Sequence, residues 1–294
     1  MLGEVLTASV TPFDADGGVN LPKFRELAAY LVENGSDGLV VTGTTGESPT
    51  LTDDERFSLY SAAVETIGDR GTVIAGTGTY DTRHSVHLTK KAHELGVDGF
   101  LIVTPYYNKP PPRGIVEHVK AIASVTDKPI VYYNIPARVV NLVSVETLAE
   151  LAEIPNVTAV KQAWDDLDDA RRIVEETGLA LYAGDDNILF PFLQLGGTGG
   201  ICVHTHVAGP QVKEQVTAYR AGDVERAREI DEELEPVYEI LKVTVGPIGI
   251  KAALNLLGHD VGGLRLPLVE ATDAEKDTIR GCLERLGALQ PVSA

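Results

Sequence analysis

Ile130-Val131-Tyr132-Tyr133-Asn134 and Val157-Thr158-Ala159-Val160-Lys161 decide the fold. The first is a continuous apolar run, as is Phe100-Leu101-Ile102-Val103 one unit earlier. A strand with one wet face alternates apolar and polar residues. A continuous run marks a strand covered on both faces, the usual state of a parallel strand. Between the two runs, Val145–Leu151 reads as an amphipathic helix, so the stretch forms one strand–helix–strand unit.

The same unit repeats outward in both directions. Further strands are expected at Glu4–Val10, Gly38–Thr42, Thr72–Ala75, Gly99–Thr104, Leu179–Ala183 and Gly200–Val203. Helices are expected at Leu21–Glu33, Thr52–Ile67, Thr82–Leu95, Ile115–Ser124, Asp166–Thr177 and Ile188–Leu195. Thr52-Asp53-Asp54-Glu55 has the form of a capping box, with Thr52 as cap and Glu55 three residues on. Eight such units match the size of a (β/α)8 TIM barrel, assigned to residues 1–222. A doubly wound open sheet is the competing arrangement, but eight repeats without a break favour closure. Residues 223–294 carry helix patterns without strand partners, at Asp223–Val243, Ile248–Leu257 and Ala274–Leu286. They are read as a C-terminal helical appendage packed on the barrel.

Composition excludes several classes. The 294 residues are 44% hydrophobic and 23% charged, an ordinary globular balance. The 25 basic and 43 acidic residues leave a formal charge of −18, which argues against nucleic-acid binding, since phosphate contact needs a basic stripe. No run approaches the length of a membrane helix. Met1-Leu2-Gly3-Glu4 lacks the basic region of a signal peptide, so a soluble cytoplasmic protein is expected. The two cysteines, Cys202 and Cys282, form neither a disulfide framework nor a zinc motif.

In a barrel, chemistry sits at the C-terminal ends of the strands. Of the eleven lysines, Lys161 alone caps such an end. Burial disfavours the charged form of an amine, and the uncharged amine is the nucleophile of Schiff-base chemistry. The structural alternative is a Lys161–Asp185 ion pair. Tyr133 ends the neighbouring strand, where a phenol can shuttle a proton with help from a hydroxyl such as Thr44. Equally, Tyr132 and Tyr133 are strand aromatics, one facing the barrel and one the helices. Gly43-Thr44-Thr45-Gly46-Glu47 is a glycine-rich turn whose backbone N–H groups suit a carboxylate or phosphate. It lacks the Gly-Lys-Ser/Thr of a P-loop. Arg138 suits a bidentate carboxylate clamp, or is a surface arginine. His204-Thr205-His206 with Asp185 invites a metal test. Metal-dependent barrel hydrolases carry their HxH on strand one, where this chain reads Thr7-Ala8-Ser9-Val10, so no metal is expected.

Five motifs then stand in order: Gly43–Glu47, Thr104-Pro105-Tyr106-Tyr107-Asn108, Tyr133-Asn134-Ile135-Pro136-Ala137-Arg138, Val160-Lys161 and Gly184-Asp185-Asp186. Together they resemble the dihydrodipicolinate synthase family, among the pyruvate-dependent aldolases that include N-acetylneuraminate lyase. The resemblance implies a barrel with C-terminal helices, assembled as a homotetramer of two tight dimers, with no cofactor. It implies that pyruvate condenses with aspartate semialdehyde to 4-hydroxy-tetrahydrodipicolinate, on the route to diaminopimelate and lysine. By resemblance, Lys161 forms an imine with pyruvate, and Thr44, Tyr133 and Tyr107 form a proton relay, Tyr107 reaching in from the partner subunit. Thr45 joins Thr44 in holding the pyruvate carboxylate, Arg138 binds the aldehyde's carboxylate, and Ile201 turns its backbone carbonyl to the lysine. The sequence departs from the family pattern at Val139, Val140, Gln162 and Trp164. These keep a second reading open, a 2-keto-3-deoxy sugar-acid aldolase or other pyruvate lyase using the same imine. A non-catalytic barrel that binds a small carboxylate is the reading from another class.

Overall fold

The computed structural model describes residues 2–290. Its first half runs β1 (Val5–Ala8), α1 (Leu21–Glu33), β2 (Gly38–Val41), α2 (Asp53–Ile67), β3 (Thr72–Gly76), α3 (Thr82–Glu94), β4 (Gly99–Val103) and α4 (Pro112–Ala123). The second half of the barrel runs β5 (Ile130–Asn134), α5 (Pro136–Val139), α6 (Val145–Ala152), β6 (Val157–Gln162), α7 (Leu167–Glu176), β7 (Ala180–Ala183), α8 (Leu189–Gln194) and β8 (Gly199–Cys202). Every strand pairing is parallel, in sequential order. The ring closes where Thr7 of β1 pairs with Leu39 of β2 on one side and Cys202 of β8 on the other. This is the expected (β/α)8 barrel. The eighth unit ends with α9 (Thr205–Arg220), which packs on β1 between α8 and α1, and the helical tail follows as α10 (Val224–Glu233), α11 (Glu235–Val243), α12 (Gly246–Leu256) and α13 (Asp273–Arg285).

The pleat divides the strand side chains between two cores. Ile130, Tyr132 and Val160 pack outward against the helices, whereas Val131, Tyr133 and Ala159 point into the ring with Leu6, Val40, Ile74 and Ile201. Tyr132 is thus a core aromatic, its hydroxyl donating to Thr104 Oγ1 at 2.9 Å. Tyr133 faces the interior. The expected capping box is present: the Glu55 N–H donates to Thr52 Oγ1 at 3.3 Å and the Thr52 N–H to Glu55 Oε2 at 2.8 Å. Thr272 and Glu275 build the same device at the start of α13.

One expected helix differs. Asp223–Val243 is not continuous: α10 ends at Glu233, and α11 begins afresh with Pro236 in its first turn. Proline has no N–H to continue the ladder and crowds the preceding turn, so it opens a helix rather than sitting inside one. No helix of the described residues is long and apolar enough to cross a membrane.

Candidate active site

Strand register brings the two singled-out side chains together. In the β5–β6 ladder Tyr133 pairs with Lys161, and in the β6–β7 ladder Lys161 pairs with Tyr182. Lys161 is 4% exposed, and its Nζ lies 4.2 Å from the centre of the Tyr133 ring. Among the described residues it takes no carboxylate partner, unlike Lys251, whose Nζ lies 2.6 Å from Glu47 Oε1. The Lys161–Asp185 ion pair is therefore not formed.

The amine lines a cavity of about 140 Å³, walled by Thr44, Thr45, Tyr133, Arg138, Asp185 and, from the helical tail, Gly246-Pro247. That volume has room for a small keto acid beside Nζ. A neighbouring concavity of about 240 Å³ shares Thr44, Ile135 and Arg138 with it and extends toward Ser48, Arg56 and Tyr106. A wider depression, about 530 Å³, lies beside Asn156 and Thr158 near the start of β6, so size alone does not locate the chemistry.

Local structure explains each placement. Arg138 sits in α5, a single turn started by Pro136 and ended by Val140 in the left-handed region (φ 54°). That turn is too short to show helical periodicity in sequence. The Gly43–Glu47 turn is flanked by two left-handed residues, Thr42 and Glu47 (φ 56° each). The Glu47 N–H donates to Thr44 O at 3.1 Å and closes the turn. Such a backbone is costly for residues other than glycine and persists where the surroundings fix it. Thr42 is fixed by its hydroxyl, 2.7 Å from the Tyr60 hydroxyl and donating to Gly76 O at 3.1 Å.

Five of the expected site residues, Thr44, Thr45, Tyr133, Arg138 and Lys161, thus line one cavity. Tyr107 does not. It is 93% exposed, held in the left-handed region (φ 70°), and projects from the chain. Ile201 is fully buried in the barrel interior, outside the cavity wall. Of the four departures from the family pattern, Val139 lines the neighbouring concavity. Gln162 is buried with its side-chain oxygen accepting from Asn134 Nδ2 at 3.0 Å, while Val140 and Trp164 are exposed and outside both walls. These three do not shape the cavity.

The acidic and imidazole groups divide sharply. Burial pushes the Asp185 carboxyl above its ordinary range, as does Asp186, while Lys161 and Arg138 draw it back. Burial also acts to raise Asp186, but His204 and the backbone N–H groups of His204 and Val203 outweigh it and hold this carboxylate low. Its Oδ1 accepts from those two N–H groups at 2.6 and 2.7 Å and contacts His204 Nδ1. Asp186, Cys202 and His204 form a buried cluster of potential metal donors, but the Asp186 oxygen is already engaged. His206 Nε2 accepts from the Val10 N–H at 3.2 Å and Nδ1 donates to Val203 O at 2.7 Å. The imidazole is a strut between strand ends. Lys251 went unremarked in the sequence, because a helical lysine far along the chain carries no local sign of burial, and Glu47 was read only as part of the turn after β2.

The model of the dihydrodipicolinate synthetase family matches residues 1–286. The chain belongs to the dihydrodipicolinate synthetase family. Among its relatives, the 4-hydroxy-tetrahydrodipicolinate synthase of Moorella thermoacetica is 48% identical over 289 residues, covering 98% of this chain and 99% of its own. The dihydrodipicolinate synthase of Cyanidioschyzon merolae, solved with lysine bound, superposes with a TM-score of 0.96 at 41% identity, over 98% of this chain and 99% of that one. The chloride-inhibited enzyme of Acinetobacter baumannii, solved with pyruvate, gives a TM-score of 0.95 at 33% identity, over 98% and 100%. Membership of the dihydrodipicolinate synthetase family therefore covers barrel and tail alike.

Proposed function

We propose that this protein is a 4-hydroxy-tetrahydrodipicolinate synthase, a lyase that joins pyruvate to aspartate semialdehyde through an imine on Lys161. The observation that carries the reading is a buried, unpaired strand-end lysine whose amine opens on a small cavity between Tyr133 and Arg138. In this reading the free amine of Lys161 attacks the ketone carbon of pyruvate, and water leaves. The positive imine makes the methyl protons acidic, and removal of one gives an enamine. The enamine carbon attacks the aldehyde. The substrate's own amine then adds to the imine carbon, expels Lys161 and closes the ring. Thr44 and Tyr133 move the protons. The Thr44–Thr45 backbone holds the pyruvate carboxylate, Arg138 takes the aldehyde's carboxylate, and the Ile201 carbonyl supports the amine.

The exposed, left-handed Tyr107 supports a further assignment: it completes the relay of a neighbouring subunit in a homotetramer of two tight dimers. The two free, buried cysteines fit the reducing cytoplasm.

Borohydride reduction in the presence of pyruvate tests the imine. The expected product is one pyruvate-derived adduct at Lys161, absent in Lys161→Ala; an adduct elsewhere, or none, defeats the reading. A coupled assay then compares aspartate semialdehyde with sugar-acid aldehydes. Faster turnover of the latter would select the aldolase alternative. Reversible pyruvate binding without an adduct would select the non-catalytic barrel.

A further inference from the structure

Glu47 and Lys251 are each 1% exposed at the side chain and lie at opposite ends of the chain's architecture. Glu47 closes the β2 turn, and Lys251 stands in the middle of α12 in the helical tail. The ammonium is 2.6 Å from Glu47 Oε1, donates to Gly263 O at 2.6 Å and lies 4.1 Å from the centre of the Phe13 ring. Glu47 Oε2 accepts from the Arg265 N–H at 3.0 Å. The Arg265 side chain then reaches Thr50 O at 2.8 Å and Glu55 Oε1 at 2.5 Å. The segment 263–265 is thus fastened to the end of the Gly43–Glu47 turn and to the stretch that follows it.

A fully buried ion pair is a poor stabilising device. Dehydrating both charges opposes their attraction, and apolar residues of similar size commonly serve as well. Burial pushes the Lys251 amine down, with Glu47 opposing, so the cost falls partly on this lysine. The pair sits where it controls something. It pins the left-handed Glu47, three residues from Thr44, and the same α12 begins at Gly246-Pro247 in the cavity wall. One helix therefore forms part of the cavity and anchors the turn on its other side.

We propose that Glu47–Lys251 is a positioning pair, holding the Thr44–Thr45 N–H groups and the Thr44 hydroxyl in the geometry that receives the keto-acid carboxylate. The C-terminal helices are on this view a working part of the site. Neither side chain touches substrate, and the inference rests on the imine reading above.

The test is a pyruvate titration of the borohydride-trapped adduct, read by intact mass, beside steady-state kinetics. Three variants are compared with wild type: Glu47→Gln, Lys251→Met and the double replacement. Each single replacement leaves a buried charge without its counter-charge, Lys251→Met a carboxylate and Glu47→Gln an ammonium, so both are at risk of unfolding. Glu47→Gln keeps an acceptor for Arg265, and the double variant buries no net charge. Half-saturating pyruvate is expected to rise about tenfold, the low end of what losing a supporting contact costs. The adduct at saturating pyruvate stays at Lys161 in full, and kcat falls less than KM rises. Folded variants with wild-type half-saturation overturn the proposal. So does failure of all three to fold, which would make the pair structural and nothing more. Absence of any adduct in the wild type would instead strike the imine reading itself.

Discussion

At the scale of single residues, place in the fold outweighs residue type. Lys161 and Lys251 are both buried lysines, yet one amine is paired and the other is presented to a cavity. Lys161 was legible in sequence because it follows a four-residue strand pattern and so had to cap its C-terminal end. Lys251 was not, because helical position says little about depth when the helix packs on an unseen partner. Tyr133 gives the sharpest test at this scale. Phe keeps the ring that lies 4.2 Å from the amine and removes only the hydroxyl. Tyr133→Phe should therefore fold normally and still trap pyruvate, while turnover falls by roughly 10²- to 10⁴-fold, the usual loss for a general acid–base group. Stopped-flow or steady-state rates at saturating substrates check this, and unchanged turnover removes Tyr133 from the relay.

At the scale of elements, the strands were legible to within a residue or two, because a buried parallel strand is an apolar run between polar turns. What escaped were features without a period. The single turn α5 that carries Arg138 is one, and the break between α10 and α11 is another. The closing seam is a third. At β8 an added Cβ on Gly199 would lie 1.9 Å from Glu4 O, so β8 meets β1 closely enough to require glycine there. Gly199→Ala should force these strands apart. Overpacking of this kind costs about 1–3 kcal/mol, and more where the obstacle is backbone. Urea unfolding should show a lower midpoint with an unchanged slope. A stability within experimental error of wild type would mean that the seam flexes more easily than its geometry implies.

For the whole molecule, the large negative charge and the buried imidazoles act in opposite senses as pH falls. Burial pushes both His206 and His118 down to about 4. In the unfolded chain each returns to about 6.5. A depressed folded value means that the unfolded state binds protons first. The stabilisation is complete above pH 6.5 and is lost as pH falls toward 4. By pH 5 the loss is roughly 2 kcal/mol for each imidazole. Relief of self-repulsion from the net charge of −18 works the other way. It is partial in this window, because ordinary carboxylates near 4 remain roughly nine-tenths ionised at pH 5 and only a few of the 43 are neutralised. The imidazole effect should win, and the unfolding free energy should fall between pH 7 and pH 5. His206→Asn retains a donor and an acceptor for Val203 O and the Val10 N–H, and should flatten that slope by up to about half, since His206 and His118 are the two imidazoles pushed down to about 4 while His259 is lowered as well. Urea melts at closely spaced pH values decide the matter: an equal slope in the variant would show that His206 takes up no proton on unfolding.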